Sequence, residues 1–102
     1  MRLARQILAT AATAVCGDRN ASYGPPMEDF ATQAAMMSAY LSRTNKRPVR
    51  VTASDIAALM AIVKIARQAH TPKADNWIDL AGYAACGAEC DARGKLSRGI
   101  PR

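Results

Sequence analysis

The sequence predicts an all-α protein, four helices packed as a bundle. Three observations point there. Half of the 102 residues are apolar but only 5% are aromatic. An apolar set dominated by alanine suits closely packed helices better than a sheet, which draws on β-branched and aromatic residues. Apolar residues also recur at three- and four-residue spacing in four separate segments, and turn formers cluster between those segments. A chain of this length makes one domain that buries about 65% of its unfolded surface. The expected organisation is a helical domain over 1–91 and a basic, flexible tail over 92–102.

The first helix runs from Arg2 to Cys16, with Leu3, Ile7, Leu8, Ala11 and Val15 on one face and Gly17 just past its end. Its early arginines and apolar middle mimic a signal sequence, but Gln6, Thr10 and Thr13 interrupt the run. After a turn-rich stretch, the second helix begins at Pro26, where proline suits a first turn and where Glu28 and Asp29 meet the positive helix end. Phe30, Ala34, Met37 and Leu41 form its apolar face, and Arg43 to Arg50 is a polar linker. The third helix opens on Thr52-Ala-Ser-Asp55, a capping box in form, and fades at His70-Thr-Pro72. The fourth starts between Lys73 and Asp75 and ends near Asp91. So short a connection predicts that the third and fourth helices pair as an antiparallel hairpin.

The formal net charge of +6 is local: Arg43, Lys46, Arg47 and Arg50 sit in the linker, and Arg93, Lys95, Arg98 and Arg102 in the tail. Charges gathered this way usually form solvated surface and otherwise contact a polyanion. No apolar run approaches the ~20 residues of a membrane span, so no membrane partner and a cytoplasmic location are expected. The three cysteines lack metal-ligand spacing and read as reduced core thiols. The single histidine, His70, sits at a helix end as a cap, and neither a Walker loop nor a dinucleotide fingerprint occurs. The methionines fall at helical spacing and read as core or interface, and Trp77 reads as core.

Asp75, Asp79, Gly82 and Tyr83 share one face of the fourth helix. Two carboxylates one turn apart can hold a divalent cation or pair with bases on a neighbouring helix, and the glycine lets a ligand or another backbone approach. Counting outward from the hairpin turn, Lys64 comes level with Asp79 and Arg67 with Asp75, which predicts two cross-hairpin ion pairs. Arg19 and Tyr23 lie in a loop that the fold alone does not explain, and loops carry binding residues.

Gly17-Asp18-Arg19-x-x-x-Tyr23-Gly24-x-Pro26, then Phe30, Lys64-x-x-Arg67 and Asp75-x-x-x-Asp79-x-x-Gly82-Tyr83 form a pattern. Over about Ile7 to Glu89 it resembles a group of small bacteriophage proteins without assigned function. That group resembles in turn a distant, shortened form of the MazG-type all-α nucleotide pyrophosphohydrolases. The resemblance implies a MazG-like bundle, a homo-oligomer, and the handling of nucleoside polyphosphates with Mg²⁺ in the bacterial cytoplasm. MazG-type enzymes carry Glu-x-x-Glu on one helix and Glu-x-x-Asp on the next. Here the second helix offers only the adjacent Glu28 and Asp29, about 100° apart around the axis, and the third only its capping Asp55.

Three functions follow as expectations. In the first, the protein grips a phosphorylated nucleotide without needing a cofactor and sequesters a host signal as an anti-defence protein. Arg19, Lys64 and Arg67 then meet phosphate, Tyr23 or Tyr83 stacks on the base, and Asp75 or Asp79 bonds a ribose hydroxyl. In the second, it is a Mg²⁺-dependent nucleoside triphosphate pyrophosphohydrolase with Asp75 and Asp79 as metal ligands, a further acid coming from Asp29 or a second subunit. No catalytic residue is assigned. In the third, the basic loop and tail serve a nucleic-acid accessory protein. Few large side chains make a thin core for a monomer, so a homo-oligomer is expected with the methionine-bearing second helix at an interface.

Overall fold

The computed structural model describes residues 1–17 and 26–97. Among them the chain is helical, with four helices and no strand: α1 (Arg2–Cys16), α2 (Pro26–Asn45), α3 (Ala53–His70) and α4 (Ala74–Ser97). The bounds of α1 and the end of α3 fall where the sequence put them. α2 outlasts its expected end and runs to Asn45, where Lys46 turns the chain with φ 54, a left-handed conformation more usual for glycine. α4 continues past Asp91 to Ser97, so the helical part extends beyond the boundary expected at 91.

The linker after α2 is held by side chains rather than left loose. Ser42 Oγ accepts from the Val49 N–H at 2.9 Å and donates to the Val49 carbonyl at 3.1 Å. Ser38 treats Val51 the same way, at 2.8 and 3.2 Å. These bonds satisfy backbone groups that have no helix or sheet partner and deliver the chain to Thr52, the N-cap of α3. There the capping box is complete: Asp55 N–H donates to Thr52 Oγ1 at 3.2 Å, and Thr52 N–H donates to Asp55 Oδ2 at 2.9 Å.

α4 packs most extensively on α3, then on α1, and least on α2. The core gathers Phe30 and Ala34 of α2, Ile56 and Ala57 of α3, and Cys86 and Cys90 of α4, with Val15, Met27, Val51, Ala53, Met60 and Tyr83 around it. No described side chain is completely enclosed, which bears out a thin core. Several sequence assignments to the core fail for this reason. Trp77 is 49% exposed, and Cys16 is on the surface while the other two thiols are buried; Met36 and Met37 face outward, which leaves the interface half of their expected role. There is not enough facing surface to cover them.

α3 and α4 touch at levels that move apart along the chain with distance from their connection: Gln68 with Asn76, Lys64 with Asp79, and Ala57 with Gly87. The deepest contact is the tightest. A Cβ built on Gly87 would stand 3.3 Å from the Ala57 Cβ, and one on Gly82 would stand 3.3 Å from Val15 Cγ2 of α1. The two glycines differ in what opposes them. Ala57 Cβ is fixed to the backbone, whereas Val15 can change rotamer. Replacing a mid-helix glycine by alanine contributes about 1 kcal/mol in propensity. Gly82→Ala is therefore expected to hold or raise stability, and Gly87→Ala to lower it by about 1–3 kcal/mol through overpacking. Urea denaturation of the two variants checks the opposite signs.

Candidate functional site

The only ion pair among the described residues joins Lys64 Nζ to Asp79 Oδ2 at 2.8 Å. Its two ends are unlike. The Lys64 side chain is 12% exposed and that of Asp79 42%, so the ammonium is largely withdrawn from water while the carboxylate can be rehydrated. The alanine-rich seam draws the lysine inward, and Asp79 compensates its desolvation.

The second expected ion pair does not form. Arg67 and Asp75 are both exposed and make no ion pair with each other. The reason is angular: Lys64 and Gln68, four apart, take the positions facing α4, and Arg67 is rotated by about 100° from Gln68. Gln68 makes the contact instead. Its Oε1 accepts from Asn76 Nδ2 at 3.0 Å and from the Lys73 N–H at 3.1 Å, and Asn76 Nδ2 also donates to the Thr71 carbonyl at 3.1 Å. Asn76 is the one buried polar residue among those described, and leaving such a group unpaired costs about 1–3 kcal/mol. The sequence reading missed this clasp. Its signal was a Gln and an Asn flanking a Thr-Pro turn. Asp75, in the first turn of α4, is accounted for by the positive helix end.

Tyr83 lies one turn beyond Asp79, with its ring packed against the core and its centroid 6.0 Å from that of Phe30 at a 44° tilt. Gly82 meets the side chain of Val15, so the freedom it provides serves the approach of α1 to α4. Arg19 and Tyr23 lie outside the described residues; the chain leads toward them from Gly17, two residues past Val15. Asp75 and Asp79 remain one turn apart, but Asp79 is occupied by Lys64, and among the described residues no three His, Cys, Asp or Glu side chains converge as a metal set. Among the described residues the donors do not compose a Mg²⁺ set of three carboxylates. A separate cleft of about 350 Å³ opens near the far end of α4, lined by Ala34, Ser38, Arg50, Thr52, Cys90 and Asp91 among others, and contains none of the expected ligand residues.

The described elements thus define a small helical protein in which parts of the sequence pattern meet around one ion pair. Residues 6–91 match the family described as a domain of unknown function, DUF6378, and the chain belongs to that family. It is 36% identical over 85 residues to the Gene 55 protein of Mycobacterium phage D29, a match covering 82% of this chain and 52% of that protein. It is 37% identical over 79 residues to the Gene 55 protein of Mycobacterium phage L5, covering 76% and 47%. The chain spans about half the length of these curated relatives. No solved structure matches it. The likeness to small phage proteins drawn from the motifs is thereby supported. No helix among the described residues is long and apolar enough to cross a membrane.

Two outcomes are expected of this chemistry. Asp79→Ala leaves the largely covered Lys64 side chain without its carboxylate and costs about 1–3 kcal/mol. Lys64→Met leaves only a carboxylate that water can reach, and costs less. Thermal melts rank the pair. The buried thiols give the second. Burial, reinforced by neighbouring Cys90, raises the Cys86 pKa above its ordinary 9.0, and burial with Asp91 raises that of Cys90. Folded pKa values above the unfolded ones mean stability that is full below about pH 9 and declines as pH rises toward the folded values. A Cys86→Ala/Cys90→Ala variant should show a weaker alkaline decline in denaturant midpoint, and Cys16 should alkylate first in the native protein.

Proposed function

We propose that this chain is a phage-type nucleotide-binding protein that grips a phosphorylated nucleotide without turning it over, on a MazG-like bundle whose α3 and α4 form an antiparallel hairpin. The observation that carries the reading is the contact of Val15 with Gly82. It sets the end of α1, from which the Gly-Asp-Arg stretch departs, beside the helix face that bears Asp79 and Tyr83. Lys64 is on the same spot through its ion pair. Among the described residues the end of α1, Lys64, Asp79 and Gly82, far apart in sequence, thus lie near one another, which supports this reading. The register of contacts between α3 and α4, from Gln68–Asn76 to Ala57–Gly87, supports the hairpin.

In this reading Arg67, exposed and without an acid partner among the described residues, is the cation most available to phosphate. Arg19 supplies another from the loop, and Tyr23 stacks on the base. Lys64 holds Asp79 in place, and Asp79 and Asp75 accept hydrogen bonds from ribose hydroxyls. Tyr83 contributes its ring edge rather than a free face, since Phe30 packs against it. Binding without a metal agrees better with this donor set than pyrophosphohydrolysis does. Sequestration of a host signalling nucleotide is a role that such a binder in a phage would serve.

Isothermal titration with a panel of nucleoside mono-, di- and triphosphates and cyclic nucleotides, with and without Mg²⁺, tests the reading. Arg67→Met is expected to weaken binding by about 1.5–3 kcal/mol, the scale of a charge-assisted hydrogen bond, while shifting the melting temperature little. Equal affinities of wild type and Arg67→Met would sink the pocket. Release of pyrophosphate in the Mg²⁺ arm would favour the hydrolase. Salt-dependent DNA binding lost on removing 98–102 and neutralising Arg43, Lys46, Arg47 and Arg50 would favour the nucleic-acid role.

A further inference from the structure

Between Asp55 and Arg67 the outward face of α3 has no polar residue where a surface helix should have many. Lys64 is the only charged residue between Asp55 and Arg67, and it is turned inward. Ala57, Met60, Lys64 and Gln68 face α4 and the core. The opposite side carries Leu59, Ile62, Val63 and Ile65, exposed by 47, 59, 37 and 55%, with Ala58, Ala66 and Ala69 exposed between them. A surface helix ordinarily turns its charged and polar residues away from the core, so an apolar outward face calls for a cover. The other outward apolar groups are interrupted: Met36 and Tyr40 by Gln33 and Arg43, Leu3 and Leu8 by Arg2, Arg5 and Gln6.

We infer that this face of α3 is a homodimer interface, covered by α3 of a second copy packed antiparallel across a two-fold axis between Ile62 and Val63. Charge favours a copy here. A chain with net charge +6 repels itself over most of its surface, but this face is neutral. Its ends carry opposite signs, Asp55 in the first turn and Arg67 with His70 in the last. The midpoint of Asp55 and His70 falls between Ile62 and Val63. A two-fold axis there sets Asp55 against His70 of the partner subunit, and Leu59 against Ala66 of the partner subunit. Large residues then meet small ones, as ridge-into-groove packing requires, and the helix dipoles oppose. Asp55 Oδ2 is held by the Thr52 N–H, which fixes the carboxylate for that contact. A standard interface buries about 800 Å² per partner around an apolar centre with a polar rim. Four half-exposed aliphatic side chains and three alanines, flanked by Asp55 and His70, have that anatomy. The isologous arrangement closes at two copies.

Sedimentation equilibrium of the full chain, with and without Ile62→Glu, tests the interface. A dimer is expected for wild type at micromolar concentration, with its dissociation constant raised at least 100-fold in Ile62→Glu and the helical circular dichroism retained. Because two carboxylates at the axis could also disturb folding, a second arm uses Ile62→Cys in a Cys16→Ser background. Mild oxidation should give a covalent dimer on a non-reducing gel, whereas Tyr40→Cys in the same background should not. A monomeric wild type, or a dimer indifferent to Ile62→Glu, overturns the inference, as does failure of Ile62→Cys to cross-link. Nucleotide binding is not needed for any of these readouts.

Discussion

The close approach of α3 and α4 is the constraint on which the rest of the molecule depends. With Gly87 against Ala57, the two helices come near enough for short side chains to pack between them. On this seam the Lys64 side chain is largely covered and pairs with a half-exposed aspartate. At the connection, Asn76 and Gln68 replace the water that a polar turn would otherwise need. Wider spacing would undo all three together: the alanine seam, the ion pair and the amide clasp.

Much of this was legible in the sequence because it depends on local chemistry. The capping box at Thr52 and Asp55, the proline start of α2 and the bounds of α1 follow from signals within a few residues of each other. Counting across a short connection was enough to set Lys64 beside Asp79. The same counting failed for Arg67 because it treats a helix as a ladder and ignores rotation about the axis, which gave that level to Gln68. Trp77 and Cys16 were misread for a different reason. Their residue types mark them as core, but whether a face is covered depends on how much partner surface the chain supplies. Gly82 was read as admitting a ligand or another backbone, and it is α1 that comes close, through Val15, a partner far away in sequence.

The ion pair bears on both stability and recognition. An ammonium withdrawn from water is stabilised by its carboxylate only to the extent that attraction exceeds desolvation, so the pair is weak evidence of strength. Its value is positional. It fixes the Asp79 carboxylate on the face where α1 ends, and it leaves Arg67 on the flank. The carboxylates present are too few and too engaged to compose a metal site among the described residues, and this is the clearest departure from the MazG-type pattern.

The serine braces have a consequence for how the basic linker can change over evolution. Ser38 and Ser42 fix Val49 and Val51 through the backbone, so the path of the linker does not depend on the cations it displays. Arg43, Lys46, Arg47 and Arg50 are all exposed, and the three arginines can be exchanged or lost without unseating α3, whereas the positive φ of Lys46 restricts that position to residues such as glycine or asparagine. The charge of this rim is therefore free to drift between relatives under selection for a partner, while the two serines and the backbone they hold stay under selection for the fold.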